Sequence, residues 1–524
     1  MQRRLVDLFG WMAILGIVAL VASPILVLAW SLVDPSGEVW AELWRTRLPG
    51  MIVSTSILLV VVVGGSVILG TSLAWLVSAF QFPCRRLVGW LLVVPLAIPG
   101  YVGGFVWLDT LSGVVGARGV RSLWLCAVVL VLSLYPYVYL FARAAFADQG
   151  ADSLAAARSL GVGAWGVFFR VSLPTAQPAI AAGAALVAME TLTDIGTVRL
   201  FNVSTLADGV MRVWFGSGNL GAATELASAL TGAAILLIAC ERLLHRRGRS
   251  ARGTSEGVMV PRTLSPFAVS GVLATVVAVL VVAVGIPIAR LVDWSVESIQ
   301  AGQAVTVAGG VWHHVGNTLL LVVTSTGVAI FIGTVLALLV ARKGGVARLA
   351  GRVSTIGYAM PGPVVAVGAV VMLAALDRRG VLPNGFFLVG STIGLVYALL
   401  VRFLAVGYQG VEASLERISP SAVESARVLG AGSFRTALSV EIPAARFGIL
   451  AATALLAVDI SKELPITLLL RPFGVDTLSV WVWQSTSESL WAQAAVPALL
   501  MVFIGMIAVG LLLVALERGA ELVS

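Results

Sequence analysis

One short sequence pattern occurs twice in this chain of 524 residues, in the same arrangement each time. Residues 155–161 (AAARSLG) are followed after nine residues by 171–174 (VSLP), and residues 424–430 (ESARVLG) are followed after nine residues by 440–443 (VEIP). The glycine and the proline of the second copy each lie 269 positions after those of the first. A repeat at the same depth in each half predicts a fold built from two equivalent halves.

The composition indicates that lipid surrounds much of the chain. Hydrophobic residues make up 59% and charged residues 11%, whereas soluble domains carry roughly 25% charged residues. About 20 apolar residues cross the hydrocarbon core of a bilayer as a helix. We therefore predict an all-α polytopic membrane protein with about twelve transmembrane helices. They cover residues 9–32, 51–80, 87–108, 122–146, 175–193 and 222–240, then 267–291, 315–341, 353–376, 386–409, 444–461 and 493–516.

The basic residues set the predicted orientation. With the N-terminus inside, cytoplasmic stretches hold 23 of the 34 Lys and Arg residues, as the positive-inside rule requires. Both termini and both copies of the repeated pattern then lie in the cytoplasm. The first apolar run exceeds the length of a signal-peptide core, so we expect a retained helix. The net charge of +8 therefore reports topology, and no basic soluble domain is present to bind nucleic acid.

The domain plan follows from the even number of spans in each half. Residues 1–241 form the first repeat, 242–265 a charged cytoplasmic linker and 266–524 the second repeat. Both halves enter the membrane in the same direction, so the axis relating them is parallel to the membrane normal. This arrangement disfavours an inverted-repeat secondary transporter.

Two proline-containing triplets also repeat, although at a shorter offset. Ile98-Pro99-Gly100 matches Met360-Pro361-Gly362 at 262 positions, so the second half contains about seven extra residues, which we place at about 413–419 in the second cytoplasmic loop. Prolines inside predicted spans free backbone carbonyls, so these spans should face protein or the pathway. Packing kinks and a role in gating both explain them. The prolines concerned are Pro95, Pro99, Pro361 and Pro363.

Acidic residues lie at matched depth in the two halves. Glu190 and Asp194 follow the first repeated proline by 16 and 20 residues, and Asp459 and Glu463 follow the second by the same numbers. The i, i+4 spacing predicts that each pair shares one helical face. Glu190 and Asp459 should lie about 24 Å along their helices, in the outer half of the membrane. Ionisable groups at this depth usually mark a pathway or an internal ion pair.

Two interpretations of these acids remain open. In one, they form a structural network with Lys462, Arg199 or Arg471. In the other, they contribute to the substrate pathway or outer gate, where a carboxylate ring would favour a cation. The pathway or gate candidates are Glu190, Asp194, Asp459, Lys462, Glu463 and Arg471. We assign no metal site, because the adjacent pair His313-His314 does not make one alone.

The repeated pattern resembles the EAA loop of ABC importer permeases, the cytoplasmic element that rests on the ATPase subunit. The resemblance implies that Gly161 and Gly430 make the turn and that the helix before each glycine transmits force from the ATPase. Ala155 departs from the family pattern, in which glutamate is usual, whereas Glu424 keeps it; the two docking surfaces need not be equal. The implied coupling residues are Ala155, Ala156, Ala157, Gly161 and Pro174 in the first loop (about 152–174), and Glu424, Ser425, Ala426, Gly430 and Pro443 in the second (about 421–443).

Residues 189–198 and 462–474 resemble signature stretches of the fused ferric-iron importer permeases. The resemblance implies two parallel six-helix repeats of the ABC type I importer permease fold, which form the whole channel in the bacterial cytoplasmic membrane. It also implies an extracytoplasmic ferric-binding protein and an ATPase dimer as partners. Fused thiamine permeases share this layout and are the alternative.

The chain contains no Walker-type ATP-binding run, since neither Lys343 nor Lys462 lies in one. We therefore expect a transport subunit that is not an enzyme and binds no cofactor, with ATP and Mg on the separate ATPase. A secondary transporter or channel is the alternative of another class. Two matched docking loops disfavour it, because a passive carrier has no ATPase to contact.

Overall fold

Helices dominate the computed structural model, as expected for a chain whose backbone polar groups must be satisfied within lipid. It describes residues 2–31, 37–147, 149, 159, 161–217, 219–248, 261–302, 310–380 and 385–521. Ala155, Ala156 and Ala157 of the first predicted coupling loop, and residues 249–260 of the linker, lie outside the described residues. One pair of two-residue parallel strands, β1 (Phe80–Gln81) and β2 (Arg262–Thr263), joins the end of the linker to the first half.

The first half contains twelve described helices. They are α1 (Gln2–Ser31), α2 (Gly37–Thr46), α3 (Leu48–Ala79), α4 (Arg85–Leu91), α5 (Gly100–Val115), α6 (Ala117–Val120), α7 (Leu123–Ala147), α8 (Ala164–Val167), α9 (Leu173–Thr193), α10 (Gly196–Leu200), α11 (Leu206–Ser217) and α12 (Leu220–Gly248). A 3₁₀ turn (Val94–Ala97) precedes α5, and a π-helical turn (Phe168–Ser172) joins α8 to α9.

The second half contains thirteen described helices. They are α13 (Pro266–Leu280), α14 (Ile286–Gln300), α15 (Gly310–Lys343), α16 (Gly345–Ser354), α17 (Gly362–Arg378), α18 (Thr392–Leu415), α19 (Pro420–Val428), α20 (Ser433–Thr436), α21 (Ile442–Ala444), α22 (Arg446–Ser461), α23 (Pro465–Leu470), α24 (Leu478–Ser487) and α25 (Trp491–Glu521). The π turn Ala437–Glu441 lies 269 positions after its counterpart in the first half, so the repeat extends to irregular backbone. A further π turn, Val281–Gly285, joins α13 to α14, and a 3₁₀ turn, Ile356–Ala359, precedes α17.

The number of membrane-length helices is smaller than the predicted twelve. Within the described residues, eight helices are long and apolar enough to cross a bilayer, or up to 11 if three bent pairs each count as one span. The sixth predicted span corresponds to a shorter apolar stretch, Gly221–Leu236. The all-α polytopic class is confirmed, and the count of twelve stays a prediction.

Two predicted spans are broken at the repeated proline triplets. Arg85–Ala97 meets Gly100–Val115 at 89°, and Gly345–Tyr358 meets Gly362–Arg378 at 106°. Pro99 and Pro361 directly precede the second helix of each pair in extended conformation. A proline disfavours helical backbone at the residue before it, which explains the break. The spans are therefore broken at these prolines, where the sequence predicted kinked helices.

The extra residues of the second half lie between α17 and α18 and not at 413–419. Helices α7 and α18 begin 269 positions apart, at Leu123 and Thr392, whereas α5 and α17 end 263 positions apart, at Val115 and Arg378. The insertion therefore falls within 379–391. A close helix crossing supports this register, because a Cβ on Gly70 would lie 2.9 Å from the Tyr139 nitrogen, and one on Gly333 would lie 2.8 Å from that of Tyr408.

The two halves interleave. Helix α1 of the first half packs on α16 and α17 of the second, and α14 of the second half packs on α5 of the first. The last helix of each half also crosses over, since α12 contacts α17 and α25 contacts the 3₁₀ turn before α5. Helices α1, α12, α14 and α25 thus contact the opposite half. The candidate functional site lies among the inner helices α7, α9, α18 and α22.

Candidate functional site

A cavity of about 80 Å³ lies between the two halves. Its volume has room for several water molecules, since roughly 10–15 Å³ of this kind of space holds one. Seven pairs of lining residues are 269 positions apart, so the cavity surrounds the axis that relates the halves. The pairs are Ser133 and Arg402, Leu134 and Phe403, Glu190 and Asp459, Thr193 and Lys462, Asp194 and Glu463, Ile195 and Leu464, and Gly196 and Pro465.

Asp194 lies just beyond the end of α9, where the chain turns into α10. Its Oδ1 accepts hydrogen bonds from the backbone N–H groups of Thr197 at 2.8 Å and Val198 at 3.1 Å, and its Oδ2 accepts one from the Thr197 hydroxyl at 2.7 Å. A carboxylate at this position stabilises the start of a helix, whose first N–H groups have no partner within the helix. Asp194 is therefore held by its own turn.

Glu463 occupies the matched position between α22 and α23. It accepts hydrogen bonds from the N–H groups of Ile466 at 2.8 Å and Thr467 at 2.9 Å, and from the Thr467 hydroxyl at 2.8 Å. The predicted helical face is wrong for both acidic pairs, because each helix ends between its two acids. The chain turns at these points, so all four carboxylates still line one cavity.

Arg402 links carboxylates from the two halves. Its guanidinium lies 3.6 Å from Glu190 Oε1 and 3.5 Å from Glu463 Oε1, and its side chain is 6% exposed. Sequence reasoning missed this residue, although a signal was present. Arg402 is the one charged residue in the predicted span 386–409, and an ionisable group inside a membrane helix marks a function or an internal pair.

Asp459 is fixed by two groups at one of its oxygens. The Tyr137 hydroxyl donates to Asp459 Oδ1 at 2.9 Å, and Lys462 Nζ lies 3.2 Å from the same oxygen. The other oxygen, Oδ2, is buried and has no hydrogen-bond partner among the described residues. Tyr137 is a second residue that sequence reasoning missed, since a tyrosine in an apolar helix gives no signal of its partner.

The other two basic residues expected in the network lie elsewhere. Arg199 Nε lies 2.5 Å from Asp208 Oδ1, and Arg471 pairs with Asp476. The structure therefore brings Glu190, Asp194, Asp459, Lys462 and Glu463 together but leaves Arg471 out of the cavity lining. Four carboxylates and two cationic groups line the cavity, which gives a formal charge of −2 when all are ionised.

The second coupling loop presents an exposed helix. Helix α19, which carries Glu424, Ser425 and Ala426, has no buried residue and begins at the N-cap Ser419. Gly430 follows it in left-handed conformation with φ +84°, and Gly161 has φ +77° in the first loop. Both glycines make the predicted turn, because this backbone region favours residues without a Cβ.

The two loops are attached to the membrane helices differently. In the second, Arg342 at the end of α15 lies 2.6 Å from Glu441 and donates to the carbonyl oxygen of Ser433 at 2.9 Å. The residue matched to Glu441 in the first half is Ser172, whose carbonyl oxygen accepts a hydrogen bond from Gln149 Nε2 at 2.8 Å. Among the described residues, an ion pair therefore contacts the second π turn and a neutral amide hydrogen bond contacts the first. Pro174 and Pro443 both lie in the first turn of the helix that follows the π turn.

No family model matches the chain. The sulfate transport system permease protein CysT of Escherichia coli is 26% identical over 41% of this chain and 84% of its own length. The molybdenum transport system permease protein ModB of Escherichia coli is 30% identical over 25% of this chain and 62% of its own length.

With its repeated halves and loops, the chain is a fused ABC importer permease, a multi-pass transport subunit of the inner membrane. Over most of its length it is similar to the Fe(3+)-transport system permease protein FbpB 2 of Haemophilus influenzae. The two are 26% identical, and the match covers 90% of each chain.

Proposed function

We propose that this chain forms the transmembrane pathway of an ATP-driven importer for ferric iron. The observation that carries the proposal is the acidic cavity at the interface of the halves, in a chain whose iron-transporting relative matches it over 90% of both lengths. An extracytoplasmic binding protein delivers the iron, and a separate ATPase dimer binds ATP and Mg and contacts the coupling loops.

The charge of the cavity favours a cation over an oxyanion. Four carboxylates outnumber Arg402 and Lys462, and a sulfate or molybdate dianion would meet net repulsion at low dielectric. The sulfate and molybdenum permeases match only 41% and 25% of this chain. A ring of carboxylates is the arrangement that selects cations in other pores.

The coupling loops are the part of the chain that would contact the ATPase. Helix α19 has no buried residue and is free to enter a groove on a partner. Val428 at its last position and Leu429 just after it are each 87% exposed, and Phe434 is 77% exposed. Apolar side chains in this number on a cytoplasmic loop indicate a protein interface. Closure of the ATPase dimer would move the two loops together and separate the halves at Arg402, which opens the cavity outward.

The test is uptake by cells that contain the binding protein and the ATPase, with and without this chain. Radiolabelled ferric iron, sulfate, molybdate and thiamine are supplied separately, and an ATPase variant that cannot hydrolyse ATP is the control. We expect iron uptake that requires both this chain and ATP hydrolysis. Loss of thiamine or oxyanion uptake on deletion, with iron uptake unchanged, would overturn the assignment of iron and keep the importer.

A further inference from the structure

We infer that Glu190 and Asp459 form a transient binding site for a trivalent cation, and that Lys462 is a tethered competitor for that cation. The inference rests on the proposed function and adds to it a site and a control on occupancy. It is carried by the two cavity carboxylates that keep an oxygen without a hydrogen bond among the described residues, and by the one lysine placed beside them.

Glu190 and Asp459 differ from the other two acids of the cavity in having oxygens available. Asp194 and Glu463 each accept three hydrogen bonds from their own turns. Glu190 has an ion pair with Arg402 at 3.6 Å as its described contact, which exceeds hydrogen-bond length. Carboxylate oxygens are the ligands that hard cations prefer.

The unpartnered oxygen of Asp459 is the second observation that indicates a ligand. Its Oδ2 is buried without a hydrogen-bond partner among the described residues, and the residue is 3% exposed. Such a group costs free energy unless something pairs with it. Tyr137 holds Oδ1 at 2.9 Å, so the carboxylate is fixed with one oxygen available to a cation in the cavity.

Lys462 breaks the symmetry of the site. Its counterpart in the first half is Thr193, and the chain contains two lysines in all. An ammonium on a flexible four-carbon stem can leave a carboxylate without disturbing the backbone, whereas a guanidinium forms a more rigid pair. Lys462 Nζ also lies 5.6 Å from the centre of the Tyr137 ring and 3.4 Å from its hydroxyl oxygen, which gives the ammonium a second contact.

The charges explain why a trivalent ion would displace the lysine. Without Lys462, the four carboxylates and Arg402 carry a formal charge of −3, which one trivalent cation neutralises. With Lys462 in place the sum is −2, so the lysine lowers affinity and favours release. A site of this kind binds the ion while it crosses the interface between the halves and then releases it.

The experiment measures binding of radiolabelled gallium(III), a redox-inert trivalent ion, supplied as its citrate complex to the purified chain in lipid nanodiscs. We expect Lys462→Gln to bind gallium about tenfold more tightly than wild type, the change that follows from about 1.4 kcal/mol of lost competition. The double variant Glu190→Gln/Asp459→Asn should lose binding. Lys462→Arg keeps the charge and should not show the increase.

Matched controls separate the site from the rest of the chain. Asp109→Asn removes a carboxylate that pairs with Arg290 outside the cavity, and it should bind gallium like wild type. Gel filtration and circular dichroism check that each variant is folded. Gallium binding that survives in the double variant, or that is absent from both wild type and Lys462→Gln, would overturn the inference. Failure of the proposed function is a separate result, because it would appear as cellular iron uptake that does not require this chain.

Discussion

The two halves of the chain share a backbone plan and differ in the side chains they bring to the cavity. Ser133 and Thr193 of the first half are matched by Arg402 and Lys462 of the second, so both cationic groups come from one half. Two copies of the second half around the same axis would supply each cation twice, and these four cations would cancel the four carboxylates. A fused chain can place each cation once, and the cavity keeps its net negative charge.

The coupling loops differ in the same way. Both contain a π turn and a left-handed glycine at matched positions. Among the described residues, the second loop has an ion pair between Glu441 and Arg342 at the end of α15, and the first has the Gln149 amide at the matched carbonyl. The two loops therefore share their backbone turns and differ in the side chains that bond to the π turn.

The largest expected effect comes from Arg402. Replacing it with methionine leaves Glu190 and Glu463 without their ion pair, and removing one partner of a buried pair costs about 3–5 kcal/mol. We expect loss of uptake and a lower thermal unfolding temperature in detergent. Both quantities are measured on the same preparation, with Asp109→Asn as the control.

A relocated arginine sharpens this comparison. In Ser133→Arg/Arg402→Ser the guanidinium moves to the matched position in the first half, which also lines the cavity. We expect thermal stability above that of Arg402→Ser alone, because the charge is restored within the same ring. Equal stability of the two variants would show that the cavity is not symmetric enough for the exchange.

The next effect concerns the turns of the coupling loops. Gly161 and Gly430 have φ of +77° and +84°, which proline cannot adopt because its ring fixes φ near −65°. Gly161→Pro and Gly430→Pro should each abolish uptake while the chain stays in the membrane. Membrane fractionation and uptake provide the two measurements, and Gly50→Ala, in a helix with open space around its Cβ, is the control. Normal uptake in both proline variants would contradict the coupling role.

A smaller effect distinguishes the ion pair at the second π turn from the amide hydrogen bond at the first. A double-mutant cycle of Arg342→Gln and Glu441→Gln should give a coupling energy of about 1 kcal/mol, since Arg342 is 23% exposed and water weakens such pairs. The coupling should fall at high salt. Gln149→Leu in the first loop should lower stability without a comparable salt dependence. A salt-independent Arg342–Glu441 coupling would argue against an ion pair.

The sequence predicted what depends on local pattern. Apolar runs gave the all-α class, and the repeated landmarks gave the matched halves and the positions of Glu190, Asp194, Asp459 and Glu463. The two glycine turns also followed from the pattern, because few residues other than glycine adopt a positive φ. These features need only the residue and its near neighbours.

What depends on distant contacts was not predicted. Arg402 and Tyr137 contact acids far away in sequence, and no local spacing identifies such partners. The breaks at Pro99 and Pro361 were mistaken for kinks, since sequence does not tell whether neighbouring helices satisfy the freed carbonyls. The inserted residues were misplaced because the landmarks on either side of them, the triplet ending at Gly362 and the loop pattern beginning at Glu424, are 62 residues apart.

The smallest expected effect compares Asp194 with Glu463, the carboxylates that accept hydrogen bonds at the start of α10 and of α23. Asp194 accepts from the hydroxyl three residues later, and Glu463, one methylene longer, accepts from the hydroxyl four residues later. Asp194→Glu should therefore lose the bond from Thr197 and about 1 kcal/mol of stability. Adding Val198→Thr places a hydroxyl where the longer carboxylate reaches, and should restore the unfolding temperature. If Asp194→Glu alone is as stable as wild type, the length of the acidic side chain does not determine where the threonine must lie, and aspartate and glutamate are interchangeable at this turn.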